Sequence, residues 1–294
     1  MKLSELSRQK KLTLSFEVFP PKRDRPVESL FGALDRLTAL SPDFISVTYG
    51  AGGSSAQQQI TCQIASRIKQ RGVEPLAHLT CINSERTQID EMLGLLRTAG
   101  IENILALRGD RIPELPPVHD FEHASDLIGY IAGQGGFDIA AACYPEGHPD
   151  SDSVVQDIGY VREKALRGAS HLISQLFFDN EDFYRLQELL GVAGVNVPVH
   201  AGVMPVVNAK QIERMVSLCG AKLPGKFAKI MARYGGNSQA MYDAGVCYAT
   251  EQVVDLIASG VDGIHLYTMN NPAIAEAICG SVKSLIDSAN EASA

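Results

Sequence analysis

The chain has 294 residues, 45% hydrophobic and 20% charged, with a formal net charge of −8 and no tryptophan. That is enough chain for one large core, and the composition is that of an ordinary globular protein. The acidic balance gives no basic footprint for nucleic acid or an anionic membrane, and no apolar run approaches the ~20 residues that span a bilayer.

Residues 1–11 read MKLSELSRQKK; they lack the apolar centre of a secretory signal and are expected to be a peripheral end, as are residues 287–294. A first strand is expected over residues 12–19. Alternation puts Thr13, Ser15, Glu17 and Phe19 on one face and Leu12, Leu14, Phe16 and Val18 on the other, and Pro20-Pro21 ends it. A second strand, 43–49, carries Thr48 and runs into YGAGGSS, which fits neither a G-x-G-x-x-G nor a Walker A loop. A third, 74–82, holds His78 and Thr80. A fourth, 103–109, closes on Arg108-Gly109-Asp110. A fifth, 138–144, ends at Tyr144 and opens the turn YPEGHP. The sixth, 171–178, contains Gln175; the seventh is 197–203; the eighth, 263–269, contains His265 and Tyr267. Helical periodicity fills the gaps, as over 27–40 and in SERTQIDEMLGLLRTAG and NEDFYRLQELLGVAG. Ser84 and Asn180 are the expected N-caps of two of these helices, and Gly72, Gly100, Gly168, Gly194 and Gly260 suit the C′ position.

Eight strand–helix units without a low-complexity linker predict an α/β fold, a single (β/α)8 TIM barrel over residues 1–294. A doubly wound sheet would carry a phosphate loop after its first strand, where this chain has PPKRDRP. Chemistry in such barrels sits at the C-terminal ends of the strands, and the unusual polar residues gather there. An unpaired buried ion costs several kcal/mol, so Glu17 either pairs across the barrel with Arg108 or a lysine, or works. A partly desolvated carboxylic acid keeps a proton into the neutral range, as a general acid requires. Asp110 is either a helix cap or a charge aimed at a ligand. His78 is a hydrogen-bonded core histidine or a ligand contact, and no second ligand lies at metal spacing. Tyr144 and His148 flank a rigid turn suited to stacking on a planar ligand. Six scattered cysteines without a CxxC favour reduced thiols in a cytoplasm.

The ordered set SFEVFPPK, ISVTYGAGG, AHLTCI, LALRGD, ASDLI, YPEGHP, ISQLFFD, GVMPVVNAKQ and HLYTMN, spread from about residue 12 to 285, resembles the methylenetetrahydrofolate reductases of the bacterial, flavin-dependent type. The resemblance implies FAD as cofactor and NADH or NADPH as hydride source. It implies reduction of 5,10-methylenetetrahydrofolate to 5-methyltetrahydrofolate, a step of one-carbon metabolism toward methionine biosynthesis. By motif, Glu17 is the proton donor and Asp110 its companion at flavin and folate. Thr48, His78, Leu107, Arg108, Gly109, Asp110, His123, Ala124, Tyr144, His148, Asp157 and Lys164 contact the flavin, with Arg108 and Lys164 suited to its phosphates and ribose. Glu17, Asp110, Gln175, Gln211, Met215 and Tyr267 contact substrate. The chain departs from the family pattern at His123, Tyr160, Glu163, Met215 and Asn271. The changes at Tyr160 and Glu163 bear on the hold on the FAD pyrophosphate, and Asn271 on the folate tail. Small molecules, not nucleic acid or membrane, are the expected partners, in a homo-oligomer without the eukaryotic regulatory domain. Two other readings compete. One is a barrel lyase with a Schiff-base lysine, which the absence of lysine from all eight strands opposes. The other is a non-catalytic folate-binding subunit.

Overall fold

The structure, a computed structural model, describes residues 1–22, 24–49, 55–112, 118–208, 212, 215–216 and 220–291, without the side chains of 55–57. Eight strands form one closed, all-parallel barrel in chain order: β1 (Thr13–Val18), β2 (Phe44–Val47), β3 (Glu74–Thr80), β4 (Asn103–Leu107), β5 (Asp138–Cys143), β6 (His171–Ser174), β7 (Val199–Val203) and β8 (Gly263–Tyr267). Around them the described helices are α1 (Leu3–Gln9), α2 (Phe31–Ala39), α3 (Ser55–Gln70), α4 (Arg86–Thr98), α5 (Ala124–Gln134), α6 (Val154–Leu166), α7 (Asn180–Val192), α8 (Gly225–Tyr234), α9 (Ser238–Ala258) and α10 (Pro272–Glu291). Among the described residues no helix is long and apolar enough to cross a membrane.

All eight predicted strands exist, and most end before the predicted boundary. The apolar pattern continues past the ladder because rim residues are buried too. Phe177 packs into the layer between strands and helices, and Phe178 into a second cluster with Met204, Phe227 and Met241. The alternation predicted for β1 holds. Phe16 and Val18 join that outer layer, while Thr13 and Ser15 hydrogen-bond histidines of β7 and β8 across the interior. The five glycines predicted to end helices all take positive φ, which a side chain rarely tolerates. Two cap predictions shift by one residue. Asp179, not Asn180, caps α7 by accepting from Glu181 N at 3.2 Å. Glu85, not Ser84, caps α4, with its N–H donating to Gln88 Oε1 at 2.8 Å, while Ser84 Oγ donates back to Thr80 O.

The N-terminal end is not peripheral, since Leu3 and Leu6 are buried, while residues 287, 288 and 291 are exposed. Helix α1 lies across the N-terminal opening of the barrel, where Leu3 and Leu6 join Phe44, Leu76, Leu105, Ala140 and Ile173 in a cluster inside the sheet. Its first N–H groups, which a helix leaves without internal partners, are taken by barrel side chains. Leu3 N donates to Asn103 Oδ1 at 3.0 Å and Ser4 N to Asp138 Oδ2 at 2.6 Å. Ser7 Oγ lies 2.6 Å from His171 Nε2. At the other end Asn290 accepts from Leu12 N and donates to Leu12 O, both at 3.0 Å, locking the end of α10 to the start of β1.

Candidate active site

The C-terminal mouth is built from strand ends whose register brings distant residues level. Glu17 pairs in the ladder with Ser46 of β2 and Tyr267 of β8. Its side chain points inward and keeps 19% of its surface exposed. Glu17 Oε2 lies 3.5 Å from His78 Nε2 and 3.9 Å from His265 Nε2. The pairing with Arg108 that the sequence allowed does not form, because Arg108 Nη2 donates instead to Asp150 Oδ2 at 2.8 Å. His78 is 5% exposed, and its Nε2 has no hydrogen-bond partner. Burial pushes the His78 imidazole down to about 4, against the opposing pull of Glu17. A buried polar atom without a partner costs on the order of 1–3 kcal/mol, so this nitrogen is suited to a ligand or a moving carboxyl.

A second group sits on the β4 and β5 rims. Arg108 O accepts from Cys81 N and Ile82 N, fastening the ends of β3 and β4 together. Gly109 has φ 78°, and a Cβ there would stand 2.9 Å from Thr80 Cβ; only glycine fits this turn. Asp110 is exposed beyond it, with its carbonyl accepting from Asn83 Nδ2 at 2.7 Å. Tyr144 and His148 meet edge to face at 4.6 Å. His148 Nδ1 accepts from Asp150 N at 3.0 Å, and burial with nearby Arg108 lowers its pKa. Asp150 therefore binds both Arg108 and the turn, a role hidden in the sequence because the two are 42 positions apart.

Deeper, on α6, Asp157 is 4% exposed. Its Oδ1 accepts from Ser151 Oγ at 3.2 Å, while Oδ2 is buried without a partner. Lys164 Nζ donates to Ala142 O at 2.8 Å; burial lowers its pKa, and Asp157 opposes the shift. Thr48 follows β2, with its N–H bonded to Val18 O. Leu107 packs on the interior cluster. His123 is the exposed N-cap of α5, with its N–H donating to Asp126 Oδ2 at 3.0 Å, and Ala124 is buried behind it.

Gln175 shares a small cavity with Tyr144, Glu146 and Leu176. Its Oε1 accepts from Leu176 N at 2.8 Å, and its amide NH2 makes no hydrogen bond among the described residues. Tyr267 reaches across to donate to Ser174 O at 2.7 Å. It can do so because Gly202 has no side chain, a Cβ there falling 2.8 Å from the Tyr267 ring. Met215 packs on the cluster around Phe178. Gln211 lies outside the described residues. The departing positions are occupied locally. Glu163 accepts from Arg167 Nε at 3.0 Å, Tyr160 is 44% exposed, and Asn271 Oδ1 accepts from Ala273 N at the start of α10. Sequence reasoning did not single out the serines around His265. Ser15 sits two residues before Glu17 on the same face, and that parity was the signal.

The groups suit a dinucleotide with a planar ring system. Two cations at the β4 rim and α6 match phosphates, the unpartnered Asp157 oxygen matches a sugar hydroxyl, and the Tyr144–His148 pair offers an aromatic surface. Among the described residues no cluster of three or more His, Cys, Asp or Glu could hold a metal.

Residues 2–283 match the sequence model of the family described as methylenetetrahydrofolate reductase. The 5,10-methylenetetrahydrofolate reductase of Pectobacterium carotovorum is 35% identical over 278 residues, covering 94% of this chain and 91% of that protein. The enzyme of the same name from Escherichia coli is 34% identical over 274 residues, covering 92% and 90%. Methylenetetrahydrofolate reductase (NADH) 1 of Arabidopsis thaliana is 36% identical over 92% of this chain but 48% of its own length; the chain spans about half of the plant relatives it matches. Among solved structures, an uncharacterized protein from Clostridium thermocellum that binds two copies of 5-methyl-5,6,7,8-tetrahydrofolic acid superposes with a TM-score of 0.68 at 14% identity, covering 98% of this chain and 99% of that one. At that identity the likeness is one of fold.

Proposed function

The chain belongs to the methylenetetrahydrofolate reductase family, and on that footing we propose that it reduces 5,10-methylenetetrahydrofolate to 5-methyltetrahydrofolate, with FAD as cofactor and NADH or NADPH as hydride source. The observation that carries the reading is Glu17, an acid on the inner face of β1 at the barrel mouth, open to ligand on one side and flanked by two histidines.

FAD, when bound, would supply the hydride transfer between nucleotide and folate. Arg108 and Lys164 would hold its phosphates, Asp157 Oδ2 would accept from a sugar hydroxyl, and the Tyr144–His148 pair with the turn at residues 107–109 would border the ring system. The folate's five-membered ring must open before it can accept hydride, and opening needs a proton on a ring nitrogen. Glu17 donates that proton and is left as the carboxylate. The amide hydrogens of Gln175 would hydrogen-bond the pterin edge, and Asp110 on the rim would stand beside flavin and folate. One mouth serves both substrates in turn, which matches a chain with no dinucleotide-binding fingerprint. The cytoplasm is the proposed compartment.

Purification with FAD tests this directly. The expected protein is yellow, is bleached anaerobically by NADH or NADPH, and regains colour with 5,10-methylenetetrahydrofolate. A colourless protein that ignores added FAD would instead be a folate-binding subunit.

A further inference from the structure

Beneath Glu17 the barrel interior holds a short chain of hydrogen bonds that the reaction as described leaves unused. His265 is fully buried. Its Nδ1 lies 2.8 Å from Ser15 Oγ and its Nε2 3.4 Å from Ser46 Oγ. Phe44 stacks on the ring at 6.0 Å and 20°, and Tyr267 meets it edge-on at 5.3 Å and 89°, so the ring plane is held from two sides.

Each serine has one hydroxyl proton to place, and each neutral imidazole has one N–H and one lone pair. Ser15 Oγ reaches Ile264 O at 3.2 Å, an atom that can only accept. Among the described residues the Ser46 hydroxyl has His265 Nε2 as its hydrogen-bond partner. Both protons are placed in one arrangement: Ser15 donates to Ile264 O and accepts from Nδ1–H, while Ser46 donates to Nε2. Nε2 then carries a lone pair, and this is the nitrogen 3.9 Å from Glu17 Oε2.

We infer that Ser15 and Ser46 fix His265 in its Nδ1–H form, with the Nε2 lone pair taken by Ser46, so that His265 presents no N–H to Glu17. His265 is thus a positioning residue for the proton donor, an assignment that rests on Glu17 having that role. The other titratable group facing Glu17 is His78 of β3, at 3.5 Å. Its burial opposes an imidazolium there. From β2 the facing group is the uncharged Ser46, and Tyr267 of β8 directs its hydroxyl to Ser174 O.

Two measurements test the assignment. In the purified protein labelled with ¹⁵N-histidine, the resonances that vanish in His265→Gln are expected to report a protonated Nδ1 and a bare Nε2; an Nε2–H signal overturns the inference. In Ser15→Ala the ring is released to turn an N–H toward Glu17. An N–H bonded to the carboxyl makes it a poorer proton donor, so the folate half-reaction is expected to slow about tenfold, with flavin reduction by NADH unchanged. A folate half-reaction at the wild-type rate overturns it. If Glu17→Gln keeps wild-type folate reduction, the acid assignment fails instead, and the ¹⁵N result still decides the tautomer.

Discussion

The buried imidazole of His78 ties the stability of the barrel to pH in a way that can be worked out. Its ordinary value is 6.5 and its value in the fold is about 4, chiefly through burial. A base whose pKa is lower in the folded state is protonated first in the unfolded chain. The fold therefore keeps its full stability above about pH 6.5, begins to lose it as pH falls through 6.5, and has lost the whole share below pH 4. The complete loss is about 3 kcal/mol, and ~2 kcal/mol is gone by pH 5. His171 and His200, buried lower in the barrel with lowered values of their own, add to the loss in the same direction. The His78 share is isolated by urea unfolding of wild type and His78→Gln at pH 7 and pH 5. Wild type is expected to lose ~2 kcal/mol more than the variant over that interval. Because each protein is compared with itself, the cost of the substitution drops out. Equal losses in the two proteins would refute the reasoning and mean that His78 accepts its proton without leaving the fold.

In Glu17→Gln, NADH or NADPH is expected to reduce the flavin at the wild-type rate while reoxidation by 5,10-methylenetetrahydrofolate falls roughly 10²–10⁴-fold, read by anaerobic stopped-flow absorbance. Asp110→Asn should slow the folate half-reaction with flavin still bound; loss of all flavin would make Asp110 a structural residue of the turn. Leu3→Ala removes a side chain that is 2% exposed and is expected to cost about 2–5 kcal/mol in urea unfolding. FAD affinity should not change, since α1 lies at the far end of the barrel.

The barrel is legible because each strand is short, apolar and followed by a periodic helix, a pattern repeated eight times. The inward aim of Glu17 is legible from parity alone. The plug is not. In residues 1–11 only Leu3 and Leu6 are both apolar and one helical turn apart, too short a stretch for periodicity. Their destination is set by Asn103, Asp138 and His171, whose bonds to the helix span 100 to 164 positions of the chain. The same holds at the mouth. Arg108 and Asp150, or Ser15 and His265, look unremarkable one at a time, and the barrel's closure makes them neighbours. Hydrophobicity overextends the strand ends because it reports burial, and rim residues such as Phe177 and Phe178 are buried without being paired.

Helix α1 makes the barrel a vessel with a stopper. Among the described residues Leu3, Leu6 and the apolar ring around them close its floor. On the proposed mechanism, a proton spent on the folate is then replaced from above, through the opening that the product still occupies. Recharging the acid is then bound in time to product departure, and each turnover must uncover the site before the next can begin.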